Sequence, residues 1–184
     1  MINLGDDYAN IKGLQEGEFE RLPAGGYICV VIFAQVSKTK NGIPQLILTL
    51  DIAEGTYARF YEGVDNYSPK FYQVIYTRDN KISPFFKGLL ENFEKSNSDF
   101  KVIGKIFDEN NLRHKKIGVI FGEEEYLSND VIKTTVKPVR ITTVENIRAG
   151  KFKVPALKKI NQTTYKDKSD DDDFNIISDE QIPF

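Results

Sequence analysis

Between Ile43 and Glu54 the chain alternates with a period of two: Leu46, Leu48, Leu50 and Ile52 fall on one face, and Gln45, Ile47, Thr49 and Asp51 on the other. That is the pattern of a half-buried strand, because successive side chains of an extended backbone point to opposite sides. The preceding stretch, Tyr27 to Val36, is rich in β-branched and aromatic residues. The polar link between them, Ser37 to Gly42, ends in the Asn41-Gly42 pair favoured in tight hairpin turns. Residues 27–54 are therefore expected to form an antiparallel hairpin, closed by Gly55.

Two further strands are expected at Tyr57–Glu62 and Lys70–Arg78, separated by a Gly/Asn/Pro loop. Ser83-Pro84 then reads as a helix start, with Ser83 as N-cap and Pro84 at the first helical position. Phe85, Phe86, Leu89, Leu90 and Phe93 recur at helical spacing through Glu94 and give one apolar stripe suited to plugging the end of a sheet. Asn97 to Lys116 is a mixed connector. A strand at Ile117–Phe121, an acidic turn at Glu123-Glu124-Glu125 and a long strand at Val131–Val144, broken at Pro138, complete the pattern. About five strands with one helix near the middle is the element order of an all-β, OB-fold-like five-stranded Greek-key barrel. A β-sandwich or an antiparallel α+β sheet would give a similar count. The domain reading is an N-terminal arm over 1–21, one folded domain over 22–160 and a flexible tail over 161–184.

The 184 residues, 40% hydrophobic, suffice for one domain with a core plus a tail. The net charge of −2 hides an asymmetry. Ser169 to Phe184 carries six acids and no base, so the remainder holds 21 acidic (27 less 6) against 25 basic residues. An excess of positive charge suits a polyanionic partner. The single cysteine, Cys29, excludes an internal disulfide and a cysteine-pair zinc site, and fits a reducing cytoplasm. No apolar run approaches the ~20 residues of a membrane span, and the first 20 residues lack the pattern of a secretion signal. A soluble cytoplasmic protein without a membrane partner is expected.

The sequence offers little for catalysis. It has no phosphate-binding Gly-rich loop and no nucleophile elbow. Its one histidine, His114, lies in the run Arg113-His114-Lys115-Lys116, where it reads as a solvated surface residue beside three cations and no partner base is in view. Asp51, Glu54, Glu123, Glu124 and Glu125 would be the candidates for a two-metal nuclease. They read more simply as strand-end and turn residues. No enzyme activity, cofactor or metal is expected.

The last sixteen residues read S-D-D-D-D-F-N-I-I-S-D-E-Q-I-P-F. Asp170, Asp171, Asp172, Asp173, Asp179 and Glu180 repel one another, and too few apolar side chains accompany them to offset the entropy of ordering. Ile182, Pro183 and Phe184 make sense if a partner supplies an apolar pocket and basic residues for the carboxylates. The acidic run and terminal Ile-Pro-Phe resemble the C-terminal tip of bacterial single-stranded DNA-binding proteins. In the body, L-D-I-A-E-G at 50–55, F-F-K-G at 85–88, G-E-E-E-Y at 122–126 and F-K-V-P at 152–155 resemble a family of phage and prophage proteins found with replication and recombination functions, taken to be phage single-stranded DNA-binding proteins.

The resemblance implies a body that coats unpaired DNA without sequence preference, and a tip that recruits replication or recombination proteins in a bacterial host cell. Single strands are held by cations and by rings on which bases stack. Lys70, Tyr72, Val74, Tyr76 and Arg78 alternate on one face of their strand, and Arg59 and Tyr61 repeat the pairing on the strand before. That face is either an ordinary wet sheet face or a stacking platform. Lys38, Lys40, Lys81, Lys133, Lys137 and Arg140 are further candidates for the DNA backbone. Two other readings remain: an acidic DNA mimic that inhibits a host nucleic-acid enzyme, and a metal-dependent nuclease. Oligomeric state, including a homo-oligomer, is left open.

Overall fold

The computed structural model describes residues 21–62, 67–104, 106–129 and 131–160. The expected N-terminal arm, apart from Arg21, and the whole C-terminal tail from Asn161 lie outside the described residues. Five strands, β1 (Gly25–Lys38), β2 (Pro44–Ile52), β3 (Lys70–Val74), β4 (Lys116–Ser128) and β5 (Val131–Thr142), form one antiparallel sheet in the order β3-β2-β1-β4-β5. Helix α1 (Pro84–Ser96) lies between β3 and β4 in sequence, and a short helix α2 (Val144–Arg148) follows β5. Placing β4 beside β1, with β2 and β3 on the other side, is the Greek-key order. The sheet curls so that β3 approaches β5, giving the OB-like architecture expected from the element order.

The β1–β2 hairpin forms as expected. The Gly42 N–H donates to the Thr39 carbonyl, and Gly42 takes φ +77, a left-handed conformation that glycine adopts at no steric cost. Leu46, Leu48, Leu50 and Ile52 are buried on the inner face of β2, against Cys29, Val31 and Ala34 of β1 and Ile117, Val119 and Phe121 of β4. In α1, Pro84 sits in the first turn, and the stripe buries Phe86, Leu89 and Phe93 while Phe85 stays exposed. Asn97 ends the helix: its side-chain amide donates to the Phe93 and Lys116 carbonyls and accepts from the Lys116 N–H, tying α1 to the start of β4.

Three local expectations are corrected. Residues 57–62 form successive turns, not a strand. Asp51 Oδ1 accepts from the Tyr61 N–H (3.0 Å) and from Ile52 N–H (2.7 Å), folding this segment back onto the end of β2. Tyr57, Phe60 and Tyr61 then meet edge to face and pack on the core. Glu123, Glu124 and Glu125 lie within β4, which runs unbroken to Ser128 before turning at Asn129 (φ +50). Pro138 does not break β5. A register shift pairs Phe121 with Pro138 but Ile120 with Arg140, so the missing N–H falls at an irregularity of the ladder.

Candidate nucleic-acid interface

Opposed residues on antiparallel strands share a face, so the register defines the outer surface of the sheet. Three rows cross it: Phe33, Thr49 and Lys70; Gln35, Ile47 and Tyr72; Ser37, Gln45 and Val74. These rows contain no carboxylate. Phe33 is 44% and Tyr72 39% exposed, both on the side opposite the core.

Phe33 is turned outward by a β-bulge. The register shifts between Val31 and Phe33, so the inner face of β1 passes from Val31 to Ala34. The connector before β4 holds this bulge: His114 N–H donates to the Val31 carbonyl (2.8 Å) and Val31 N–H to the Lys115 carbonyl (3.0 Å). Upstream, Asp108 Oδ1 caps a 3-10 turn at Glu109–Leu112 by accepting from Asn110 N–H, and Leu112 is fully buried. This anchoring sets the guanidinium carbon of Arg113 5.9 Å from the centre of the Phe33 ring. A planar cation on an exposed ring keeps donors available for an anion while limiting its own freedom.

The opposite half of the outer face is covered. Helix α2 and residues 151–160 lie across β4, β5 and the first half of β1, over three glycines. A Cβ on Gly26 would meet the Phe152 ring at 2.5 Å, one on Gly118 the Thr143 carbonyl oxygen at 2.5 Å, and one on Gly122 the Pro155 ring at 2.9 Å. The segment ends in a parallel bridge to β4: Glu125 N–H donates to the Lys158 carbonyl (2.9 Å) and Lys158 N–H to the Glu123 carbonyl (3.0 Å). Glu124 is flanked by the ammonium groups of Lys137 and Lys158. Burial pushes its carboxyl up, but the two cations outweigh this and hold it below the usual glutamate range.

The expected binding residues divide accordingly. Lys70 and Tyr72 lie in the three rows. Lys38 and Lys40 of the first hairpin, and exposed Arg78 and Lys81 after β3, gather at one end of the sheet: Lys38 pairs with Pro44, whose carbonyl accepts from the Ile75 N–H (3.0 Å). Tyr76 is not on the face. β3 ends at Val74, Ile75 is buried, and Tyr76 bridges Ile82 and packs on the core. Tyr61 is 7% exposed, and burial pushes its phenol up to about 12. Arg59 is exposed at φ +61 and pairs with Glu62 (3.6 Å). Lys133, Lys137 and Arg140 share the outer side of β5 with the covered half. The proposed tail contacts, Asp170–Asp173, Asp179, Glu180 and Ile182–Phe184, lie outside the described residues.

Of the five carboxylates weighed as metal ligands, Asp51, Glu54, Glu124 and Glu125 are engaged within the fold, and Glu123 is exposed. Asp51 accepts two backbone N–H groups. Glu54 takes Lys116 (2.8 Å) and both oxygens' worth of Arg148 (3.0 Å each), partners that hold its carboxyl low. Glu125 Oε2 accepts from the Ile160 N–H. Among the described residues no three His, Cys, Asp or Glu side chains converge to hold a metal, and no helix is long and apolar enough to cross a membrane. No family model and no curated protein matches the sequence.

Phe33 and Arg113 escape sequence reasoning. Strict alternation from buried Val31 puts Phe33 in the core, and only the bulge reverses this. Arg113 is visible only as part of a basic run, and its placement depends on the buried Leu112 beside it.

Proposed function

We propose that the protein binds single-stranded DNA without sequence preference on the outer face of β1, β2 and β3. The observation that carries this reading is the set of three rows in which Phe33 and Tyr72 stand exposed beside Lys70 and Arg113 with no carboxylate among them. Bases stack on the two rings, each worth about 1–3 kcal/mol, and phosphates meet the cations. Lys38, Lys40, Arg78 and Lys81 extend the positive charge along one end of the sheet, and none of these takes part in an ion pair recorded among the described residues. Capture is driven by counterion release and weakens as salt rises.

Strand faces and hairpin loops of OB folds recurrently bind oligonucleotides, which supports this choice of surface. The resemblance of the body segments to phage single-stranded DNA-binding proteins supports it too, and with it a role in phage replication or recombination within a bacterial cell. By the same resemblance the acidic Ile-Pro-Phe tip recruits partner proteins. The test is tyrosine emission, which no tryptophan obscures in this chain. Quenching should rise with the length of an added oligonucleotide until the site is filled, and no length-dependent quenching would exclude stacking on Tyr72.

A further inference from the structure

Beyond the barrel, β4 and β5 continue as a ribbon. β1 ends its pairing with β4 at Gly25–Phe121, whereas the β4–β5 ladder runs on to Ser128–Val131. The ribbon is apolar on both sides near its tip: Tyr126 and Val131 on one, Leu127 and Ile132 on the other, all between 41% and 56% exposed. A two-stranded ribbon with both faces apolar is marginal in water, and a third strand is what stabilises it.

Among the described residues, the hydrogen bonds identify the open edge. Glu125 N–H and Glu123 carbonyl point away from β5, toward Lys158. Thr134, paired with Glu125, therefore turns its own N–H and carbonyl away from β4, and so do Ile132 and Val136. β5 is the last strand of the sheet, and the Thr134 carbonyl accepts from the side chain of Arg21 (3.1 Å), a donor standing where a strand would donate. The edge sequence, Val131-Ile-Lys-Thr-Thr-Val136, is almost wholly β-branched, which is the composition of a strand that pairs readily.

We infer that this edge pairs antiparallel with the same edge of a second copy, about a two-fold axis through Thr134. A two-fold axis perpendicular to the sheet brings residues of the same face opposite one another, so it passes through a residue. Centres at Val131 and Ile132 would set the turn residue Asn129 (φ +50) against the strand, which leaves four registers in this segment. Centring on Lys133 sets that ammonium against its own copy. Centring on Thr135 sets Lys133 against Lys137. Centring on Val136 sets Pro138, which has no N–H, opposite an outward-facing Thr134. Centring on Thr134 avoids all three. It bonds Thr134 to Thr134 and Ile132 to Val136 through the outward backbone groups, places Ile132 on Val136 side by side, and sets each Lys133 beside Thr135. The Arg21 side chain gives up the Thr134 carbonyl to the incoming strand. The product is a four-stranded ribbon, β4-β5-β5-β4, joining two barrels.

Light scattering of the full chain from about 1 to about 100 μM tests this, spanning the affinities of a small interface. A concentration-dependent dimer is expected. Thr134→Pro removes an N–H that faces away from β4, so the β4–β5 ladder survives and the melting curve should stay close to that of the parent chain. Its dimerisation should weaken at least tenfold. Thr134→Lys sets two ammonium groups against each other and should give a monomer at low salt that partly recovers the dimer at high salt. A parent chain that stays monomeric throughout would overturn the inference, and so would a dimer indifferent to both substitutions.

Discussion

Val31 and Phe33, two residues apart on β1, face opposite sides of the sheet. Val31 is fully buried against Leu50 of the neighbouring strand, while Phe33 stands in the outer row with Thr49 and Lys70. One extra residue, Ile32, produces the reversal, and the hydrogen bonds from His114 and to Lys115 hold it in place. A ring that a regular strand would spend on the core is thereby offered to solvent beside a guanidinium.

Substitutions at the aromatic positions should therefore fall into two classes. Phe33→Ala and Tyr72→Ala are expected to weaken single-strand binding by about 1–3 kcal/mol each, with thermal stability changed little, because neither ring is in the core. Tyr61→Ala should destabilise the fold by about 3 kcal/mol through loss of a buried ring, and Tyr76→Ala in the same direction by less. Fluorescence anisotropy with a labelled oligonucleotide, alongside thermal melts, separates the classes. Unfolding of Phe33→Ala or Tyr72→Ala would remove those rings from the interface.

The hairpin over residues 27–54 and the plug helix were legible because their signals are local: a period of two around Asn41-Gly42, and a helical stripe behind Pro84. The aromatic run Tyr57–Tyr61 misled for the opposite reason. Rings favour strands because they pack on a half-buried surface, and here the same preference is satisfied by turns that Asp51 draws back onto the core. Tyr76 shows the limit of extrapolating a period, since β3 stops two residues short of it. Of the candidate site, Lys70 and Tyr72 follow from alternation. Phe33 and Arg113 depend on a bulge and on a loop anchored some eighty residues later, which no local pattern encodes.

The glycines beneath residues 151–160 provide a second test. Gly26→Ala places a methyl carbon 2.5 Å from the Phe152 ring, so the ring must move. Destabilisation of about 1–3 kcal/mol is expected, with faster tryptic cleavage at Lys151 and Lys153. Combining it with Phe152→Ala should restore part of the loss, because the smaller side chain leaves room for the methyl group. Unchanged proteolysis in Gly26→Ala would show that the segment does not lie on this glycine.

Acid should loosen the same segment. The Glu124 carboxyl sits below its ordinary value in the folded chain because Lys137 and Lys158 favour the charged form over the opposing effect of burial. A depressed folded value means that its stabilising contribution is fully present above the unfolded value of about 4.3 and is lost as pH falls through the folded value beneath it. Hydrogen exchange at the Lys158 and Glu125 amides should therefore accelerate across that acidic window relative to amides of the β1–β2 hairpin. Glu124→Gln should show faster exchange already at neutral pH and little further change on acidification.

On the proposed function, the tail should bear on DNA affinity through its charge. Deleting Asp170 to Phe184 removes six carboxylate side chains from a chain whose remaining residues carry an excess of bases. This should tighten single-strand binding, most at low salt where screening is least. Deleting Phe184 alone leaves those side-chain charges in place, so DNA affinity should hardly change while capture of replication or recombination proteins is lost. Retention of the same partners after loss of Phe184 would reduce the tail to a charged appendage.

The decisive measurement is a salt-titrated binding curve on unpaired and duplex DNA of equal length. Stacking on Phe33 and Tyr72 requires bases that are free to leave a helix, so the unpaired strand should bind more tightly at every salt concentration. If Lys38, Lys40, Lys70, Arg78, Lys81 and Arg113 all meet phosphates, the logarithm of the binding constant should fall against the logarithm of salt with a slope of about −4. Replacing Phe33 and Tyr72 together by Ala should erase most of the preference for unpaired DNA while leaving the slope unchanged. Equal affinity for the two DNAs, or no salt-dependent binding to either, would contradict the assignment of this face to single-stranded DNA.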